Sequence, residues 1–532
     1  PWLVDASFTR ELSNWKDAYE IIPLDRLPPN ANYIRSHAFC HVKRATDDET
    51  NSSLRLKTRI VLHGNEDNER EDVRKDTQAA SFTSIRTLLA LAAIYHLHIA
   101  SIDIKGAYLQ SGRCRRDIFV RPPNEWRQVR GVAWKLLKLP YGLPDAGHQW
   151  QTVIDDFILS LGFSIIPGLP QLFKQQSASK DPPTVLAKVT DDILLVGTDS
   201  AIASFIQNIR ASFDVGRLQY HTNMTFNGAF ISVGPLGFTL DIIEPLARLR
   251  PIPIAYARRL TPHDHITPEE LTALRSLAGS LNYIGQAACP PATYVASAIQ
   301  QFIGRTSNVS ILLQANAMLK ELQKLPSVIH FPLADIRDSF RVVALSDASF
   351  APSSRYGQTG FLLWLQPFAE PAPAAATTVA SPSYLLDWSS SKQRRIANSI
   401  LGAEILAASL ADDNLVGFAQ SLASILNPHA VSSLLLLDSR SLYQLVSSFK
   451  QSGMDARLAA VVDRLRDSFM SAELGELGWI PGSAQLADSL TKRNPMGWRL
   501  LMNAAGSAVL DIPACACFRG PSWRRTVSGG DV

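Results

Sequence analysis

The sequence predicts a multidomain chain of mixed α+β and α/β architecture, and three observations predict it. Its 532 residues exceed what one hydrophobic core ordinarily organises, which points to about three or four domains. Hydrophobic residues make up 46% and charged residues 19%, enough apolar material for packed cores and too little charge for wholesale disorder. Short β-type runs alternate with helix-length segments in two separate stretches, joined by one that is helical in period.

Residues 1–56 are mixed and turn-rich, with Pro23, Pro28 and Pro29 breaking any long helix before an extended run at Tyr33–Val42, so they read as a lead-in to the first core. In residues 57–245, β-type runs at Thr58–Leu62, Ile99–Ile104, Asp117–Val120, Trp134–Leu137 and Leu186–Val196 alternate with helical segments, among them Ser84–Tyr95 and His148–Leu161. Residues 246–335 read as a helical connector, in which Thr267-Pro268-Glu269-Glu270 joins a Thr cap to a proline in the first turn. A second α/β unit is expected over 336–500, with strands Arg341–Leu345, Gly360–Leu365 and Tyr384–Trp388, a helix Ser399–Leu410 and a strand Leu434–Leu437. The Pro/Ala/Thr/Ser stretch Pro367–Pro382 reads as a loop insertion without function. Residues 501–532 form a tail, turn-rich after Gly506, and no repeat of fixed period is present.

Charge and cysteine content narrow the function classes. Lys plus Arg number 52 and Asp plus Glu 48, so the net charge of +4 supplies no general basic field and any nucleic-acid surface must be local. Five cysteines, Cys40, Cys114, Cys289, Cys515 and Cys517, match neither a CxxC zinc pattern nor a disulfide framework, and a reducing compartment fits them best. Leu88–Ile94, the most apolar early stretch, falls well short of the roughly 20 residues that span a bilayer, so no membrane is expected. The chain opens Pro-Trp-Leu without an initiator Met and reads as a piece of a longer polyprotein or an incomplete gene prediction.

Two constellations of acids carry the chemistry. Ile99-Ala-Ser-Ile-Asp-Ile-Lys sets Asp103 in an apolar strand, and Lys188-Val-Thr-Asp-Asp-Ile-Leu-Leu-Val sets Asp191 and Asp192 at the tip of a hairpin. Neighbouring carboxylates raise each other's pKa unless a cation neutralises them. Three on one sheet suit two Mg²⁺ ions, one activating an attacking hydroxyl and one holding phosphates and leaving group, which is polymerase chemistry. Taken alone, an Asp-Asp doublet is more often an ordinary polar turn.

Six blocks in order change that balance. Lys57-Thr-Arg-Ile-Val-Leu-His-Gly is followed by Phe82-Thr-Ser-Ile-Arg-Thr-Leu-Leu-Ala-Leu-Ala-Ala and Asp103-Ile-Lys-Gly-Ala-Tyr-Leu-Gln-Ser-Gly. Asp117-Ile-Phe-Val-Arg-Pro-Pro, Leu139-Pro-Tyr-Gly-Leu-Pro-Asp-Ala-Gly-His-Gln-Trp and Phe226-Asn-Gly-Ala-Phe-Ile complete them around the Asp-Asp block. The series resembles the reverse transcriptase of copia-type long-terminal-repeat retrotransposons. The resemblance continues through Leu274-Arg-Ser-Leu-Ala-Gly-Ser-Leu-Asn-Tyr and covers most of the chain. It implies a right-hand polymerase of fingers and palm with a helical thumb or connection. Lys57 and Arg59, two apart on one strand face, would hold the triphosphate of an incoming deoxynucleotide. Tyr108 would stack beneath the sugar and exclude a 2′-hydroxyl, and Tyr141 and Gly142 would support nucleotide and template. Each has a plainer reading: solvated cations, a core aromatic, a turn glycine. Two departures bear on efficiency. Val189 replaces the family's aromatic two residues before the Asp pair, and Pro144-Asp145-Ala146-Gly147-His148 replaces Lys-Gln-Ala-Pro-Arg.

The second constellation is Asp347 after an apolar strand, Glu404 within a helix beside Leu401, Ile405 and Leu406, Asp438 directly after Leu434–Leu437, and Asp488 in Ala484-Gln-Leu-Ala-Asp-Ser-Leu-Thr-Lys. Singly, each is more often a cap or a surface charge. Strand ends of open α/β sheets are where sites form, and four converging acids could bridge two Mg²⁺ ions and direct water at a phosphodiester. The order resembles the ribonuclease H domain that follows the polymerase in copia-type elements, a mixed-sheet fold, although no His lies between Asp438 and Asp488. His263-Asp264-His265 and Cys515-Ala516-Cys517 are discounted as metal sites, two donors on a turn without partners.

Together these readings predict an RNA-directed DNA polymerase with ribonuclease H activity, using Mg²⁺ or Mn²⁺, two ions per site. Its partners would be an RNA template, a DNA primer, RNA–DNA hybrid, deoxynucleoside triphosphates and the capsid, protease and integrase of the same polyprotein. Its expected location is cytoplasmic, with virus-like particles and a nuclear phase as variants. The rivals are an inactive or domesticated nucleic-acid-binding relic, and a nuclease using the second site alone. Seven intact carboxylates argue against the relic.

Overall fold

A computed structural model describes residues 2–43, 55–126, 130–175, 182–303, 307–334, 339–350, 357–367, 381–426, 431–448, 455–471, 473–513 and 516–519. The loop expected at Pro367–Pro382 lies almost wholly outside them, as does Cys515.

Residues 1–56 do more than lead in. A 13-residue helix, Trp2–Asn14, buries Phe8 against the core that holds Trp15, Ile60 and Trp134, and Ser7 Oγ donates to the Leu56 carbonyl at 2.9 Å. The prolines that argued against a long helix all follow it. Strands Tyr19–Pro23 and Asn32–Lys43 then join a five-stranded sheet in the order Tyr19–Pro23, Val132–Leu136, Ile118–Arg121, Asn32–Lys43, Arg55–Leu62. The expected boundary at 56/57 therefore runs through a strand paired across this sheet, from Ser36 opposite Leu62 to Lys43 opposite Arg55.

The next sheet has six strands in the order Val215–Tyr220, His98–Ile104, Asp192–Gly197, Thr184–Val189, Leu172–Gln175, Phe163–Ile165. Both faces are covered, which is why its central strands read as continuous apolar runs. Ile99, Val185, Ala187, Leu194 and Val196 pack with helix Phe82–Tyr95 on one face. Ala100, Ile102, Leu186, Ile193 and Leu195 pack on the other, with helices Ala146–Ser160 and Asp199–Ser212. The β-type run Leu186–Val196 forms the expected hairpin, with Thr190 and Asp191 at its turn and Asp192 opening the second strand.

The connector contains helices Pro268–Ala287, Pro290–Phe302 and Val309–Leu322, the first with a reciprocal Thr267–Glu270 capping box. It also returns a strand, Val328–Pro332, which pairs with Gly237–Asp241 from before residue 246. The helical reading of this stretch thus omits a sheet that crosses its expected start.

The last unit is a six-stranded mixed sheet in the order Tyr384–Lys392, Gln358–Pro367, Phe340–Ser349, Val431–Leu437, Glu476–Trp479, Ala516–Arg519. Phe340–Ser349 runs antiparallel to Gln358–Pro367 and parallel to Val431–Leu437. Helix Ile400–Ile425 is 26 residues long, more than twice the length expected, because Leu415, Phe418, Leu422 and Ile425 continue its buried stripe. The tail supplies an edge strand, Ala516–Arg519, rather than turns alone. No helix among the described residues is long and apolar enough to cross a membrane.

Two candidate carboxylate sites

Asp103 and Asp192 stand directly opposite each other on the paired strands His98–Ile104 and Asp192–Gly197, and Asp191 occupies the two-residue turn before the second strand. That turn is held in an uncommon shape. Thr190 lies at φ 54, a left-handed conformation that a β-branched side chain disfavours by about 1–3 kcal/mol. Trp150 Nε1 donates to the Thr190 carbonyl at 2.8 Å, and Ile104 N–H donates to the Asp191 carbonyl at 3.0 Å. Gly216 lets the neighbouring strand approach Asp103 closely, since a Cβ there would lie 2.3 Å from Asp103 Oδ2.

Burial raises the pKa of Asp191, and Asp103 adds to the rise while Arg59 and Lys57 oppose it. Burial followed by Asp191 and Asp103 pushes Asp192 up to about 6. Lys57 and Arg59 are exposed on one face of Arg55–Leu62, whereas Thr58 and Ile60 between and beyond them are buried. The Arg59 guanidinium lies 5.6 Å from the centre of the Tyr141 ring, which in turn sits 4.8 Å from the ring of Tyr108. Burial and then Asp191 raise both tyrosines, Tyr141 to about 12. Gly142 has φ +105, and a Cβ there would fall 2.2 Å from the Leu62 carbonyl oxygen, so this turn admits only glycine. The structure thus gathers Lys57, Arg59, Tyr108, Tyr141 and Gly142 around Asp103, Asp191 and Asp192. The altered block is absorbed: Asp145 accepts from Arg116 Nη2 at 2.7 Å and Nε at 3.2 Å, while Arg116 Nη1 reaches buried Asp67 at 2.9 Å.

The second site forms where the mixed sheet meets its long helix. Asp347 is on the central strand Phe340–Ser349, Asp438 directly follows the parallel strand Val431–Leu437, and Glu404 is near the start of helix Ile400–Ile425. One carboxylate oxygen from each lies within 4.8 Å of the others, a donor set fit for a hard divalent cation. It is the only such trio among the described residues, so Asp103, Asp191 and Asp192 are set wider. Burial first, then Asp347 and Asp438, push Glu404 up to about 9, and burial pushes Asp347 to about 6 against the hydrogen bond from Thr491. Asp438 is raised mainly by burial.

Asp488 does not join the trio. Lys492 pairs with it, and Asn494 Nδ2 donates to it at 3.0 Å. Of the four acids expected to converge, three stand within 4.8 Å of one another, and Asp488, paired with Lys492, lies beside them and raises Asp347 and Asp438. Thr491, whose hydroxyl donates to Asp347, was missed as a site residue although it lies in the quoted Leu-Thr-Lys run. Gln485, bonded to Asp438 and to the Ser346 carbonyl, was missed likewise. Trp150 and Gly216 left no signal in sequence, because their roles depend on strands and helices far apart in the chain.

Residues 19–230 match the family described as reverse transcriptase (RNA-dependent DNA polymerase). The retrovirus-related Pol polyprotein from transposon TNT 1-94 of Nicotiana tabacum is 32% identical over 167 residues, 30% of this chain and 12% of that one. Those from transposons RE1 and RE2 of Arabidopsis thaliana are 25% identical over 401 residues and 23% over 395, each 71% of this chain and 25% of the relative. The chain thus spans about a quarter or less of the length of these curated relatives. Among solved structures, a foamy viral protease-reverse transcriptase with double-stranded DNA gives a TM-score of 0.45 at 10% identity, over 81% of this chain and 64% of that one. A foamy viral protease-reverse transcriptase with RNA/DNA hybrid gives 0.43 at 10% identity, over 90% of this chain and 54% of that one. The first site therefore lies within a domain of the reverse transcriptase family. Over 71% of its length the chain is similar to retrovirus-related Pol polyproteins of plant transposons.

Proposed function

We propose that the chain is an RNA-directed DNA polymerase that copies retrotransposon RNA from a DNA primer and also hydrolyses the RNA of the resulting hybrid. The observation that carries this reading is the pairing of Asp103 with Asp192 across adjacent strands, with Asp191 on the intervening turn, inside the reverse transcriptase match. In the synthetic step the primer 3′-oxygen bonds to the α-phosphorus of a deoxynucleoside triphosphate as the bond to pyrophosphate breaks. Lys57 and Arg59 would hold the departing phosphates, and the rings of Tyr108 and Tyr141 would floor the sugar. In the hydrolytic step Asp347, Glu404 and Asp438, with Asp488 beside them, would orient water toward a phosphodiester of the RNA. Mg²⁺ or Mn²⁺, two ions per site, would activate the attacking oxygen and stabilise the leaving one.

The partners on this reading are RNA template, DNA primer, RNA–DNA hybrid and the other products of the polyprotein, in a cytoplasmic location. A second reading, a relic that binds nucleic acid without synthesis, rests on the altered residues themselves, Val189 before the Asp pair and Pro144–His148 after Tyr141-Gly142-Leu143. Primer extension on poly(rA)–oligo(dT) with Mg²⁺ or Mn²⁺, beside release of label from an RNA–DNA hybrid, decides between them. Extension and release support the enzyme; binding of hybrid with neither activity supports the relic.

A further inference from the structure

Arg86 lies in helix Phe82–Tyr95, and its side chain is fully buried. A charged group in such a place must be well paired to persist. Its partners come from two other parts of the chain. Nη1 donates to the carbonyls of Gln286 and Ala287 at 2.6 and 2.8 Å, and Nε donates to the carbonyl of Leu386 at 2.7 Å.

Each of those acceptors is left over by its own element. Gln286 and Ala287 end helix Pro268–Ala287, where the last carbonyls have no partner within the helix and the dipole favours a cation. Leu386 is the residue skipped in the pairing of Tyr384–Lys392 with Gln358–Pro367: Leu363 faces Asp387 and Trp364 faces Leu385. A bulge of this kind leaves the extra residue outside the ladder. One planar guanidinium thus satisfies a helix end and a sheet bulge together. The indole of Trp388 lies 3.8 Å from it, while Trp388 Nε1 donates to a third carbonyl of the same helix end, Gly285, at 2.9 Å. Thr83, one turn before Arg86, donates to Asp387 at 2.7 Å, and Asp387 lies 3.6 Å from Arg86 Nη2.

We propose that this joint, with Arg86 as its positioning residue, fixes the spacing between the two carboxylate sites and thereby the distance from the primer terminus at which hybrid RNA is cut. The first site stands on the sheet that helix Phe82–Tyr95 covers, and the second on the sheet to which Tyr384–Lys392 belongs, so the joint ties the two sheets directly, alongside a contact of Ser421 Oγ with the Pro167 carbonyl. The cutting distance rests on the function proposed above; the joint itself does not.

The test uses the full chain with Arg86→Lys, which keeps the charge and the reach but loses the planar fork. The substrate is a labelled RNA template carrying a recessed DNA primer. Wild type should give one dominant cut at a fixed spacing from the primer terminus. Arg86→Lys should retain primer extension and retain cleavage of a blunt hybrid, yet lose the dominant position to a spread of cuts. Hydrogen exchange should quicken at residues 283–288 and 384–392 and stay unchanged at 400–425. A sharp cut with unchanged exchange would overturn the proposal. If wild type cuts no hybrid, the proposed hydrolytic function fails, and exchange alone judges the joint: quickening at both segments supports it, and no change overturns it. Trp388→Phe keeps the ring and removes only the bond to Gly285. It should move the same readouts by a smaller amount, and it decides the matter should Arg86→Lys fail to fold.

Discussion

The two carboxylate sites use one residue type and manage its charge by different means. Around Asp103, Asp191 and Asp192 the acids are half-buried and set apart on a strand pair and its turn, and Arg59 and Lys57 act directly on Asp191. Around Asp347, Glu404 and Asp438 the acids crowd within 4.8 Å, Asp347 and Glu404 are buried, and the nearby Lys492 is tied to Asp488. The first site sets two cations, Arg59 and Lys57, against Asp191; the second sets one, Lys492, against Asp347, Glu404 and Asp438. In the second, burial is the largest cause and raises Asp347, Glu404 and Asp438 alike. Burial with Asp347 and Asp438 carries Glu404 to about 9 against the pull of Lys492, while burial with Asp191 and Asp103 carries Asp192 to about 6 with no cation opposing it.

The comparison breaks most sharply if the sites are not independent. Asp191→Asn should reduce DNA synthesis to background and spare RNA cleavage in a preformed hybrid, and Glu404→Gln should do the reverse. Both activities are to be measured on folded variants matched by circular dichroism. Loss of both in either variant would mean that the two clusters serve one reaction.

Metal removal sharpens it next. EDTA should abolish both activities, with Mg²⁺ or Mn²⁺ but not Ca²⁺ restoring them, because the larger and more flexible Ca²⁺ shell is poorly suited to closely spaced ions. Stability should separate the sites further. Cation at about 100 times its Kd stabilises a folded chain by about 2.7 kcal/mol. Most of that gain should vanish in Glu404→Gln and survive in Asp191→Asn, read as the shift of the melting curve on adding Mg²⁺.

A smaller effect lies in pH. In chelator, Glu404 of the folded chain holds its proton up to about 9, whereas an unfolded Glu ionises near about 4.3. The folded state therefore binds more protons between those values. Its stabilising contribution is complete below the unfolded pKa and is lost as pH rises toward 9, with a limiting slope of about 1.4 kcal/mol per pH unit. Glu404→Gln should flatten the upper part of this fall in melting curves from pH 5 to 9. Asp192→Asn should flatten only the part below about 6.

The sequence made legible whatever depends on local pattern. The strand around Asp103 was readable because both its faces are buried, and Glu404 because its neighbours keep helical period. Trp2–Asn14 precedes the prolines and owes its place to packing of Phe8 with distant residues, and Ile400–Ile425 runs on past Leu410 because Leu415, Phe418 and Leu422 continue its buried stripe. Relations made by tertiary approach were silent. Nothing in the order of residues announces that Gly216 abuts Asp103, that Lys492 restrains Asp488, or that Arg86, part of a quoted block, closes a joint with a helix end and a bulge 200 to 300 residues later.

The smallest predicted effect concerns selectivity within the first site. Tyr108 is half-buried, its ring beside that of Tyr141, and its hydroxyl would lie only 3.7 Å from a Cβ placed on Gly147. A ring there can close the space that a ribose 2′-hydroxyl needs, so Tyr108→Ala should raise ribonucleotide over deoxyribonucleotide incorporation by about tenfold, the scale of a steric contact. Tyr108→Phe keeps the ring and should leave the ratio unchanged. A tyrosine that only packs against Tyr141 behaves differently: its loss would lower the melting temperature and depress both substrates in parallel. Paired kinetics with rNTP and dNTP, beside melting curves of both variants, separate the two roles. An unchanged ratio in Tyr108→Ala would return the ring to the core and leave the first site with charge management but no means of reading the sugar.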